Sequence, residues 1–224
     1  PQIRRIERLT RPDRQTLLFT ATWPADVAAA AAEFTDDVVT VRIGGDALKA
    51  SDNVSQIVEV TDEHGKHARL VSVLERALGD AEAAGAVPKI IVFLSSKARV
   101  DASTRRLRHE GFPALSIHGD KGQEEREWVL GEFRAGKSPV MLATDVAARG
   151  LDVKDVSLVV NYDFPGKMED YVHRIGRTGR AGAKGKAMSL FMSGDARHAR
   201  SLCGLLQTAG QPVPRELAQF LSLS

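Results

Sequence analysis

Residues 89–117 read KIIVFLSSKARVDASTRRLRHEGFPALSI. The apolar run Lys89–Leu94 is too short for a buried helix and is β-branched, so it reads as a strand covered on both faces. A helix follows from about Lys97 to Glu110, and Ala114–Ile117 forms the next short strand. A strand, a helical crossover and a second strand make a parallel unit, because antiparallel neighbours need only a tight turn.

The same rhythm extends in both directions. Upstream, Ser55–Val60 reads as a strand and Lys66–Leu78 as a helix with Leu70, Val73, Leu74 and Ala77 along one face. Downstream come a helix over Gln123–Arg134, a strand over Val140–Ala143 and a turn rich in small residues. A strand over Val156–Asn161, a helix over Met168–Ile175, a strand over Lys186–Phe191 and a helix over Ala196–Gln207 complete the series. The predicted fold class is α/β: a doubly wound parallel sheet with helices on both faces, from about residue 54 onward. Before it, Thr16–Thr22 (TLLFTAT) and Val38–Ile43 read as two further strands, with a helix between them opened by Pro24. Gly44–Asn53 is polar, carries glycine and has no periodicity, which marks a linker.

Composition excludes several classes. The 224 residues are 43% hydrophobic and 27% charged, as in an ordinary folded protein rather than a disordered one. The longest apolar runs, Ala28–Ala32 and Ile90–Leu94, fall far short of the roughly 20 residues that cross a bilayer. A single cysteine, Cys203, excludes an internal disulfide framework and suits a reducing, intracellular setting. Net charge is only +2, but RIGRTGRAGAKGK, residues 174–186, holds five cations and no carboxylate. Such a stretch can face phosphate or simply solvent.

Ligands of doubly wound sheets bind beyond the carboxyl ends of the strands, so the residues there carry the chemistry. They are Ser95, Ser96 and Lys97; His118, Gly119 and Asp120; Thr144, Asp145 and Val146; Asp163 and Phe164. Arg174, Arg177 and Arg180 recur every three residues with Gly176 and Gly179 between them, a spacing that puts guanidiniums on neighbouring parts of one face. Paired guanidiniums suit a transferring phosphoryl group. Thr144 offers a hydroxyl at a strand end, and Asp152 is an acceptor fit for a ribose hydroxyl, although Asp145 or Asp152 could equally cap a helix. Gln123 and Arg126 stand about one turn apart at a helix start. His118 has no second histidine or cysteine at ligand spacing, so no metal site is expected there.

Taken in order, these segments resemble the DEAD-box RNA helicases of superfamily 2. TAT at 20–22 is similar to motif III, VFLSS at 92–96 to motif IV and QEER at 123–126 to motif IVa. ATDVAARGLD at 143–152 is similar to motif V and HRIGRTGR at 173–180 to motif VI. Thr20 stands where the family usually has serine, and Ser96 where threonine is common. The resemblance implies a RecA-like fold. It implies arginine fingers at Arg177 and Arg180, nucleotide contacts from Gly150 and Asp152, and a link from His173 to Thr20 and Thr22. It also implies a sugar–phosphate grip by Ser96, Gly119, Gln123, Arg126, Thr144 and Arg174.

Neither a strand–loop–helix GxxxxGK[ST] phosphate loop nor an Asp-Glu-Ala-Asp quartet occurs in the chain: the one literal match, GEFRAGKS at 131–138, begins inside the predicted helix over Gln123–Arg134 and leads into a strand. In the family both belong to the first RecA-like domain, upstream of motif III. The resemblance therefore implies a remnant of that domain at residues 1–45, an interdomain linker at 46–54 and the second RecA-like domain at 55–224. ATP and Mg2+ would be held mainly by the missing first domain, and RNA would be bound without regard to base sequence. The fragment would be inactive alone and prone to self-association through unpaired strands. No membrane partner is expected, and the setting is nuclear or cytoplasmic. The alternative is a stand-alone RNA-binding or partner-docking module without ATPase activity.

Overall fold

Six strands pair in a single sheet: β1 (Val54–Val60), β2 (Ile90–Phe93), β3 (Ala114–Ile117), β4 (Val140–Ala143), β5 (Leu158–Asn161) and β6 (Gly185–Phe191). Their order is β1-β6-β5-β2-β4-β3, and every pairing is parallel. The computed structural model describes residues 2–43, 49–148, 153, 155–180 and 182–222. They fall into two compact units, Pro1–Leu48 and Lys49–Ser224, and the sheet lies in the second.

β2, β4 and β5 are buried at every position because a parallel sheet is covered on both faces. β1, at the sheet's edge, instead starts with alternating buried and exposed residues. The connections through α3 (Gly65–Ala83) and α4 (Lys97–His109) step along the sheet in one direction. Those through α5 (Gln123–Arg134), α6 (Asp145–Ala148) and α7 (Met168–Ile175) step back the other way. Right-handed crossovers therefore put α3 and α4 on one face and α5 to α7 on the other. The core agrees: Leu70 and Leu74 of α3 and Val100 and Leu107 of α4 pack with Ile90, Val92, Val140, Leu142 and Val160. Departing connections diverge between β2 and β5, so the crevice beyond those two strands is the topological switch point.

Several elements differ from expectation. α3 runs on past Leu78 to Ala83, across the poor helix formers Gly79 and Asp80 into Ala81, Glu82 and Ala83, which favour a helix. The segment expected to be helical from Ala196 begins with a 3-10 turn over Ser193–His198, in which Asp195 accepts the Met192 amide at 2.9 Å, and α8 starts at Ala199 and ends at Thr208. The small-residue turn after β4 coils into α6, and α9 (Arg215–Gln219) follows Pro214.

In the first unit, α1 (Gln2–Leu9) and α2 (Ala25–Phe34) are joined by Arg4, whose guanidinium pairs with Glu33. Pro24 stands just before α2, as its fixed φ favours. Thr16–Thr22 and Val38–Ile43 are not strands. The unit's described residues include no strand to complete a ladder, and an unpartnered strand has nowhere to place its hydrogen bonds.

Candidate functional site

At the switch point the chain builds a buried ionic cluster. Asp163 follows β5, and one of its carboxylate oxygens accepts both the Ser95 amide and the Ser95 hydroxyl at 2.9 Å. The other receives Lys66 Nζ at 2.7 Å and an Arg99 amino group at 3.0 Å. Lys66 is wholly buried, a position a lysine tolerates only when its charge is matched. Glu63 meets Arg99 at 2.7 Å and Lys66 at 3.6 Å, and both cations lie over the Tyr162 ring. Burial alone would raise the Asp163 pKa, but hydrogen bonds from Lys66 and the Ser95 backbone, with the Arg99 charge, outweigh it and hold the carboxyl below its ordinary value.

A second cluster adjoins the first. Arg174, on the last turn of α7, forks onto Asp145 with Nε at 2.5 Å and Nη2 at 2.7 Å from its two oxygens. Its Nη1 donates to Asn161 Oδ1 at 3.2 Å and to the Asp163 main-chain carbonyl at 2.7 Å, and its plane lies over Phe93. Only 2% of Arg174 is exposed. Arg174 is thus a brace within the domain rather than the RNA ligand expected of it, because it is buried and four of its five N–H donors go to Asp145, Asn161 and Asp163.

Arg177 and Arg180 are placed differently. α7 stops at Ile175, so the three arginines do not share one helical face. Arg177 Nε donates to the His173 carbonyl at 3.1 Å, and Arg180 Nε to the Gly176 carbonyl at 2.7 Å. Among the described residues no carboxylate pairs with either. Partial burial, and then the charge of Arg180, hold the Arg177 pKa below its usual value. Between them Thr178 is buried and donates to the Val156 carbonyl. Gly179 takes φ +67° against Val54 and Asn53, and a Cβ at Gly185 would lie 2.1 Å from Thr178 Oγ1. Two tight glycines and one anchored threonine thus fix the turn that carries two guanidiniums without a carboxylate partner among the described residues.

Ser96, Gly119, Gln123, Arg126 and Thr144 come after the carboxyl ends of β2, β3 and β4. Ser96 caps α4 by accepting the Arg99 amide at 3.3 Å. Gly119 is exposed beside Lys97, which pairs with Asp120. Gln123 is exposed and donates to Glu127 at 2.8 Å, while Arg126 Nε is buried without a hydrogen-bond partner among the described residues. Thr144 is buried at the end of β4. Thr20 and Thr22, in the first unit, bond each other: the Thr20 hydroxyl donates to the Thr22 carbonyl at 2.6 Å and accepts the Thr22 amide at 3.3 Å. Gly150 and Asp152 lie outside the described residues. His118 shares its Nε2 between both Asp101 oxygens at 3.1 Å. Among the described residues no group of three His, Cys, Asp or Glu could hold a metal ion.

Comparisons with known proteins bear on the fold and the family. The family model described as the helicase conserved C-terminal domain matches residues 66–182, over half of the chain. The chain belongs to the helicase C-terminal domain family, in its DEAD-box type. DEAD-box ATP-dependent RNA helicase 20 of Arabidopsis thaliana is 56% identical over 98% of the chain and 42% of its own length. ATP-dependent RNA helicase DBP2 of Meyerozyma guilliermondii is 52% identical over 98% of the chain and 39% of its own length. The chain therefore spans about two fifths of these relatives. Among solved structures, S. cerevisiae Dbp5 bound to RNA and ADP BeF3 matches with a TM-score of 0.77 at 29% identity, covering 95% of this chain and 53% of that one. Prp28 of Chaetomium thermophilum bound to ADP matches with 0.65 at 34% identity, covering 94% and 49%.

In this DEAD-box domain the sequence reading missed Lys66, Glu63, Arg99 and Asn161 as parts of the site. Lys66 left a readable signal: it stands four residues before Leu70, on the same helical stripe as Leu70, Leu74 and Ala77, where a charge is out of place. The partner that neutralises it lies 97 residues away, and no local pattern announces that.

Proposed function

We propose that the chain is the second RecA-like half of an ATP-dependent RNA helicase, residues 55–224, preceded by a linker at 46–54 and the tail of the first half at 1–45. In this reading Ser96, Gly119, Gln123, Arg126 and Thr144 hold an RNA sugar–phosphate backbone. Arg177 and Arg180 meet the phosphates of ATP seated on the first half, and His173 joins that contact to Thr20 and Thr22. Gly150 and Asp152 complete the nucleotide contact. ATP brings its own phosphate chemistry, and Mg2+ travels with it on the first half. This chain's part is to orient two cations and to exclude water when the halves close. Backbone contacts ignore base identity, so binding is independent of sequence and falls with salt. The work is done inside the cell, and the chain alone does not turn over ATP.

The observation that carries this reading is the pair Arg177 and Arg180, held by main-chain carbonyls with no carboxylate partner among the described residues. Unneutralised guanidiniums on a rigid turn are free to take phosphate charge, and such fingers accelerate phosphoryl transfer by about 10³–10⁵. The test adds the first RecA-like half of the Arabidopsis relative to this chain. RNA-stimulated ATP hydrolysis by the mixture, abolished by Arg177→Ala, supports the motor. RNA affinity that neither ATP nor the added half changes, with no hydrolysis, supports the stand-alone binding module instead. ATP turnover by the purified chain alone would contradict the motor reading.

A further inference from the structure

The ionic cluster at the switch point stands between the two halves of the proposed site. On one side is the loop after β2, where Ser95 is tied to Asp163 and Ser96 opens α4 toward the RNA groove. On the other is α7, whose end carries the finger turn and whose Arg174 donates to the Asp163 carbonyl. Asp163 is the residue both sides share: its side chain is gripped by Lys66, Arg99 and Ser95, and its main chain by Arg174. A carboxylate with this many charge-assisted bonds in a nearly closed site is fixed in place, since each bond is strong only in its own geometry.

We infer that Asp163 is a positioning residue that keeps the RNA-facing loop after β2 and the finger-bearing end of α7 in one register. It touches neither ligand. It acts by joining the two elements that do, across the crevice where their connections diverge. Lys66 serves it by neutralising the carboxylate from beneath, and Glu63 balances Lys66 and Arg99. The inference rests on the function proposed above, and the test separates the two.

The chain as it stands is compared with Asp163→Asn and Lys66→Met at a temperature well below melting, with folding followed by circular dichroism. Affinity for a short single-stranded oligouridylate reads the RNA loop. The side-chain Nε–H signal of Arg177, recorded by NMR without RNA, reads the fingers. Asp163→Asn is expected to weaken RNA binding about tenfold and to displace or broaden the Arg177 signal, although Arg177 does not touch Asp163. Lys66→Met, which removes the charge and keeps most of the volume, should move both readouts the same way by less. It serves as the readable variant if Asp163→Asn does not fold. A purely structural role would lower the melting temperature and leave both readouts unchanged, which overturns the inference. Movement of only one readout overturns it too, because Asp163 would then serve a single side. Failure of the wild-type chain to bind the oligouridylate defeats the functional reading, while the Arg177 signal still judges the link between Asp163 and the finger turn.

Discussion

Thr178 and Gly179 decide how the finger residues point. A threonine inside a run of arginines and glycines gives no sequence hint of burial, yet its hydroxyl is anchored to Val156 and its neighbour takes a left-handed backbone. At Gly179 a Cβ would meet Val54 Cγ2 at 2.7 Å and would force a side chain into φ +67°. Gly179→Ala should therefore destabilise the domain by about 1–3 kcal/mol, read from denaturant unfolding. Thr178→Val leaves the Val156 carbonyl unpaired and should cost about 1–3 kcal/mol. Arg126 offers a different test: its buried Nε, without a hydrogen-bond partner among the described residues, suits a phosphate oxygen. Arg126→Ala should weaken RNA binding evenly across base sequences and reduce the slope of log affinity against log salt by roughly 0.7. The Arg-x-Gly spacing was legible as a glycine-bearing cationic turn. That Arg174 turns inward was not, because the partners that hold it, Asp145, Asn161 and Asp163, come from other elements and spacing along one segment does not show them.

Short apolar strands and the helices between them were the most legible elements. β3, β4, α5 and α7 lie at the residues their patterns predict, since each presents a continuous apolar run or face to a core. The ionic cluster beneath α3 was hidden because its members come from separate elements and charge alone normally signals a surface. It nonetheless sets an acid sensitivity. The Asp163 pKa in the folded domain lies below its unfolded value, so the unfolded chain takes up this proton first as pH falls. The stabilisation is whole above the unfolded value of about 3.9 and is lost as pH drops through the lower folded value. Urea unfolding followed from neutral pH to pH 3 should show stability declining below about pH 4. Asp163→Asn should be less stable at neutral pH and show a flatter decline. An unchanged decline in the variant would assign the acid sensitivity to other carboxylates.

At the scale of the whole chain the two units obey one rule with opposite results. In residues 49–224 each interior strand has two neighbours, and the apolar runs are buried. The first unit carries the same kind of sequence without neighbours for it. Phe19 is 91% exposed and Ile43 98% exposed, with Leu17, Val39 and Val41 also open to solvent. Exposed apolar segments without a strand partner among the described residues are a template for pairing, so the expected outcome is association between copies of this chain. Sedimentation velocity over a range of micromolar concentrations should show species larger than the 24.3 kDa monomer. Phe19→Asp combined with Val41→Asp should return the chain to monomer, because charges on such segments block strand pairing. The melting of the sheet-bearing unit should stay unchanged in that variant, since neither residue belongs to its core. A wild-type chain that stays monomeric at every concentration would mean that these segments close on themselves, and the expected association would be overturned.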